Sequence, residues 1–214
     1  MHRRRSALSL SAAALLLGGV PLLAGCGSEA HPGAAALVDG DRIEVSSVQA
    51  RAEAVRDAQR AVPNGERLLE QTGPLPRYTL NYMLRERVVE ETAANLGVDD
   101  LTRREVQKFR TEQENARGGP EAYEAFMLQQ TVAPDQIDTV LRMQLLIDRI
   151  AQKLGVGPQT PNADEVLNAE FVETAQALDI DVNPRYGEWN VEMVSLTGGT
   201  EPWIKPAPVP QEPA

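Results

Sequence analysis

The chain has 214 residues, 42 % of them hydrophobic and 4 % aromatic, and its 31 acidic against 21 basic side chains give a formal charge of −10 and an isoelectric point near 4.8. That length and apolar content suit one globular domain with tails, and exclude wholesale disorder and collagen-like repetition. Beyond the extreme N-terminus no basic patch supplies the phosphate neutralisation that nucleic-acid binding needs, so nucleic acid is not an expected partner.

His2, Arg3, Arg4 and Arg5 open a small and apolar run from Ala7 to Leu23 that Gly18, Gly19 and Pro21 interrupt. A bilayer span takes roughly 20 apolar residues, so residues 1–25 read as a secretory signal in preference to a permanent membrane helix. The run ends in Leu23-Ala24-Gly25-Cys26, which resembles the bacterial lipobox. A lone cysteine is often just a small buried hydrophobe, but Cys26 is followed by Gly27, Ser28, Glu29, His31, Pro32 and Gly33, the composition of a tether. The resemblance implies cleavage before Cys26 and a diacylglycerol on its sulfur, a two-chain anchor that makes attachment stable. The mature chain of 189 residues, with a formal charge of −13 once three arginines are removed, would then sit lipid-anchored at the extracytoplasmic face of the cell membrane, with residues 26–36 as its flexible tether.

Two short β-prone runs flank Asp39-Gly40 between Leu37 and Val45 and predict a hairpin. Ser46-Ser47-Val48-Gln49 has the spacing of a capping box and predicts a helix to about Ala61, which Pro63, Asn64 and Gly65 weaken or stop. Gly73, Pro74 and Pro76 mark a loop, after which Leu80, Met83, Leu84, Val88 and Leu96 keep helical spacing from Arg77 to Leu96, with Gly97 where a helix-ending glycine belongs. Thr102-Arg103-Arg104-Glu105 is a second capping box and predicts a polar helix to about Arg117. A short helix follows from Pro120 to Gln130, then a longer one from Asp135 to Leu154 whose apolar residues cover more than one stripe and which is therefore expected at the centre of the fold. After a Gly/Pro linker from Gly155 to Pro161, Asn162 and Asp164 begin a helix ending near Leu178, and Ile180 to Val182 and Tyr186 to Val191 suggest extended segments. The tail, residues 198–214, holds five prolines and is expected to be disordered or partly polyproline-like.

Three stretches in this order resemble the N-terminal chaperone module of secreted folding factors of the SurA and PrsA type. These are Ala35-Ala36-Leu37-Val38-Asp39-Gly40-Asp41-Arg42-Ile43, Leu141-Arg142-Met143-Gln144-Leu145-Leu146-Ile147-Asp148, and Ile180-Asp181-Val182-Asn183-Pro184-Arg185-Tyr186-Gly187-Glu188-Trp189. The resemblance implies a mainly α module over residues 37–197 with a small β-sheet made from both chain ends, in line with the need of a marginal hairpin for a third strand. Such proteins often carry a parvulin prolyl-isomerase domain between the long helix and the final helix; here only Gly155 to Asn162 lies there, so that activity is not carried over.

Catalytic chemistry lacks parts. His31, five residues beyond Cys26 in the tether, is the one histidine of the mature chain, so neither a Ser-His-Asp triad nor a two-histidine metal site can be built within the fold, and no phosphate-cradling glycine loop occurs. The acid pairs Asp99-Asp100 and Asp164-Glu165 fall at or before predicted helix starts, where carboxylates favour the dipole. The expected protein is not an enzyme and uses no cofactor and no metal. Tyr78, Tyr82, Met83, Phe109, Tyr123, Phe126, Met127 and Met143 are the candidate client-binding residues, as the lining of an adaptable groove or else as core. The readings that follow are an ATP-independent holdase for unfolded exported polypeptides, an envelope adaptor that holds one partner protein, and a small-molecule-binding lipoprotein, whose usual bilobal α/β pattern is missing.

Overall fold

A computed structural model describes residues 32–157 and 159–198. Strand β1 (Ala34–Val38) turns through Asp39 and Gly40 into β2 (Asp41–Glu44). Both turn residues have positive φ, 50° and 81°, which is the two-residue turn whose twist matches a hairpin. The strand starts three residues before Leu37. Ala34, Ala35 and Ala36, assigned by sequence to the tether, are wholly buried in the sheet. Alanine tracts lack the β-branched signature of a strand, and their small side chains serve close packing on the covering helices.

No loop separates β2 from helix α1 (Val45–Arg60). The expected capping box at Ser46 and Gln49 does not form: Glu44 is the N-cap, without a side-chain cap, and the first helical N–H, of Val45, donates to the Gly33 carbonyl at 2.8 Å. A strand neighbour thus satisfies the group that a capping side chain would have served. Helix α2 (Gly65–Gln71), not expected from the sequence, occupies the stretch between Pro63 and Gly73. Its start lies so close to α1 that a Cβ on Gly65 would stand 2.1 Å from the Gln59 carbonyl oxygen. Helix α3 (Leu75–Asn95) takes Pro76 into its first turn, where a missing N–H costs nothing, and ends before Gly97 at φ 66°.

The second capping box is present in full: Thr102 Oγ1 accepts from Glu105 N at 3.3 Å and Glu105 Oε2 accepts from Thr102 N at 2.8 Å, opening α4 (Arg103–Ala116). Helix α5 (Pro120–Gln129) follows, then a 3-10 turn, Pro134–Gln136, that leads into α6 (Ile137–Lys153). Helix α7 (Ala163–Ala177) precedes β3 (Ile180–Val182), a second 3-10 turn at Pro184–Tyr186, and the hairpin of β4 (Glu188–Asn190) and β5 (Ser195–Thr197).

Strand β3 pairs antiparallel with the free edge of β1, Ala36 opposite Val182 and Val38 opposite Ile180, giving the order β2-β1-β3. The expected sheet from both chain ends therefore forms. Asp39 and Asp179 lock its corner, N–H to carbonyl at 2.9 Å one way and N–H to Oδ1 at 2.8 Å the other. The segment from Tyr186 onward does not extend this sheet. Trp189 pairs instead with Leu196 in a separate two-stranded ribbon.

Helix α3, and not α6, is central: it packs on α1, α6, α7, β1 and β5. At 21 residues it is the longest helix, and Leu80, Leu84 and Val88 along it are wholly buried. The broad apolar surface of α6 is spent differently, since Val140, Met143, Leu145 and Ile147 are half-buried flanks of a helical core built on Ile137, Leu141, Leu146 and Ile150. A second core joins the sheet to Val48, Leu80, Leu84, Tyr186 and Leu196. Between the two, buried Thr92 on α3 donates to Val88 O at 2.7 Å and its Oγ1 is 2.9 Å from that of Thr174 on α7, so neither hydroxyl is stranded.

Candidate functional site

A groove of about 700 Å³ runs along the first half of α3, between the 71–73 turn, Arg51 of α1, the 130–132 linker after α5 and the start of α6. Helical spacing builds its main wall, because Tyr78, Tyr82 and Arg85 recur at i, i+4 and i+7. At 100° per residue the two tyrosines lie roughly 140° round the helix from the Leu80, Leu84 and Val88 face that enters the core. Tyr78 is accordingly 52 % exposed, and its ring rests at the Gly73 turn, 3.0 Å from where a Cβ would be.

The walls are cross-linked. Arg51 Nη1 bridges α1 to Glu86 of α3 at 3.0 Å, and Gln136 Nε2 donates to the Arg51 carbonyl at 2.8 Å, which ties the start of α6 to α1. Gln59 Nε2 donates to Thr72 Oγ1 at 2.9 Å and holds the turn before α3. Thr131, on the linker, adopts φ 61°. The lining mixes apolar surface from Leu75, Tyr78, Tyr82, Val132 and Val140 with amide and hydroxyl groups from Gln71, Thr72, Gln130 and Thr139. Tyr82 Oη is buried without a hydrogen-bond partner among the described residues, and burial, helped by Glu86, pushes its phenol well above the usual range. Apolar surface beside the amides of Gln71 and Gln130 suits an extended polypeptide, whose backbone needs hydrogen-bond partners and whose side chains need apolar cover.

Of the eight candidate residues, the structure brings Tyr78 and Tyr82 to the groove. Met83 packs against the sheet core. Tyr123 and Met127 are buried in the helical core, with Phe109, Phe126 and Met143 half-buried against it. Phe126 is also held from outside by the Arg117 guanidinium, 3.5 Å from its centroid. Residue type alone pointed to all eight; the position of each on its helix separates groove from core. Leu75, Val132, Val140 and the rim charges Arg51, Arg85 and Asp135 are not among the sequence candidates; the helical row containing the tyrosines carries a signal for Leu75 and Arg85, and nothing local does so for the other four.

A smaller concavity of about 370 Å³ lies at the hairpin turn, with Asp39, Asp41, Glu90 and Asp99 facing Arg87 and Arg142. Burial, with Glu86 near by, raises the Glu90 carboxyl above the ordinary value of 4.5, against the pull of Arg142. Among the described residues no group of three or more His, Cys, Asp or Glu could hold a metal ion, and none of them is a histidine or cysteine. The acid pairs stand where helix starts favour them, Asp164 and Glu165 in the first turn of α7 and Asp100 ion-paired at 2.6 Å with Arg149 ahead of α4. Residues 1–25, Cys26 and the tail beyond Gly198 lie outside the described residues. No described helix is long and apolar enough to cross a membrane.

A helical domain with an open, half-apolar groove is suited to binding. The comparison of the chain with family models gives the same class: the SurA-like N-terminal domain matches residues 3–151, more than half of the chain, and the chain belongs to that family. Membership supports a chaperone-type role exercised through binding to other proteins. The match ends within α6, so α7 and β3 to β5, including the strand that completes the sheet, lie beyond it. No curated protein and no solved structure matches the chain.

Proposed function

We propose that the protein is an ATP-independent holdase that binds unfolded exported polypeptides in the α3 groove while tethered to the outer face of the membrane through Cys26. The observation that carries the reading is Tyr78, half-exposed over a groove that also presents the side-chain amides of Gln71 and Gln130. The cationic start and the Leu23-Ala24-Gly25-Cys26 motif support removal of residues 1–25 and lipidation at Cys26. The net acidity supports keeping copies apart while clients are bound. A span of 154–162 between α6 and α7 leaves no room for an isomerase domain, so the activity proposed is binding without catalysis.

The test is suppression of aggregation. Mature protein should slow the aggregation of several unrelated unfolded chains and leave prolyl isomerisation at its uncatalysed rate. Stoichiometric retrieval of one envelope protein, with no effect on those substrates, would favour the adaptor reading. For the anchor, Cys26→Ser should release the protein to the medium or leave unprocessed precursor; membrane retention of a correctly processed mutant would overturn it.

A further inference from the structure

We propose that the chain carries its own occupant for the groove: the C-terminal segment 199–214, with Trp203 and Ile204 seated beside Tyr78, competes with clients for the same site. The proposal rests on the groove reading and adds regulation to it.

The attachment of β5 is the first support. Leu196 N donates to Asn81 Oδ1 at 2.6 Å, and Leu196 O accepts from Arg77 Nη2 at 3.0 Å, so β5 is fastened to the first half of α3. Asn81 is itself part of the groove wall, and the face that holds β5 adjoins the face that bears Tyr78, Tyr82 and Arg85. The described chain thus ends at Gly198, two residues past a strand residue bonded to the groove wall. Trp203 lies six positions past Thr197, a reach of roughly 20 Å at extended spacing.

Composition is the second. Pro202-Trp203-Ile204-Lys205-Pro206 puts one aromatic and one aliphatic side chain between prolines, which hold the backbone extended and lower the entropy lost on docking. Proline-rich strands of this kind lie well against exposed aromatic rings, and Tyr78 supplies one. Charge agrees as well: Glu201 and Lys205 flank the apolar pair, while Arg85 and Asp135 on the groove have no ion-pair partner among the described residues.

Tethered this closely, the segment has an effective concentration on the order of 1 mM, so an intrinsic affinity on the order of 100 µM would hold client binding back about tenfold. The experiment measures the affinity of the full mature chain for fluorescently labelled, reduced and carboxymethylated lactalbumin. Trp203→Ala with Ile204→Ala should tighten binding about tenfold, and a synthetic peptide of residues 199–214 added in trans should reverse the gain. Tyr78→Ala should weaken both the client and the peptide, with circular dichroism melts confirming that each variant is folded. If the tail substitutions leave client affinity unchanged and the peptide does not compete, while Tyr78→Ala still weakens the client, the tail proposal is overturned and the groove reading stands. If Tyr78→Ala changes neither, the groove reading is overturned and this one with it.

Discussion

Tyr78 is 52 % exposed although buried Leu75 and Leu80 lie within one helix turn, so the fold gains little from it. Tyr78→Ala should therefore change stability by no more than about 0.5 kcal/mol, the range of ordinary surface substitutions, while aggregation suppression falls several-fold. Thermal melts and a light-scattering assay on the same preparation separate the two effects. Gly65 behaves in the opposite way: a methyl group 2.1 Å from the Gln59 carbonyl forces α1 and α2 apart, and Gly65→Ala should destabilise by about 1–3 kcal/mol in denaturant titration. Glu90 gives a pH signature. Its folded-state carboxyl is raised above the ordinary 4.5, so its ionised form opposes folding once the pH exceeds that raised value, and the penalty fades as the pH falls toward 4.5. Glu90→Gln should raise the melting temperature at neutral pH, with the gain shrinking in mild acid. An equal gain at every pH would assign the effect to packing instead.

At the level of elements, local signals and tertiary ones divide cleanly. Helices α3 to α7 were legible because their ends carry their own chemistry: Thr102 with Glu105, Gly97 and Gly155 at positive φ, and Pro120 in a first turn. Where the partner is distant in sequence, the reading failed. The Gly33 carbonyl replaces the cap expected from Ser46, and β5 exists because Asn81 and Arg77 hold Leu196, neither of which a three-residue strand announces. Helix α2 is only seven residues long between two breakers. In the site, aromatic type was readable but the burial of Tyr123 and Met127 depends on which helices enclose them. The return of the chain to the hairpin was anticipated and gives a test. Truncation after Leu178 strips β3 from the edge of β1 and removes Tyr186 and Leu196 from the core, and should yield an aggregation-prone, non-cooperatively melting product. Truncation after Gly199 should shift the melting temperature by only a few degrees. Equal melts for the two would remove the structural role of β3.

For the whole molecule, one long helix serves two purposes. Its inner face fuses the sheet core and the helical core, and its outer face, kept in place by that fusion and by the Arg51 links, presents the tyrosines. Those links join the groove walls, so under the proposed holdase reading a client would gain apolar cover without first ordering the site. Met193, 63 % exposed on the β4–β5 ribbon, is an apolar residue outside the groove and serves as an internal control. The direct measurement replaces Tyr78, or separately Met193, with a photo-crosslinking phenylalanine analogue and irradiates each folded protein with three unrelated unfolded chains. The account predicts that all three are captured through position 78 and little through position 193. Equal capture at the two positions would contradict it.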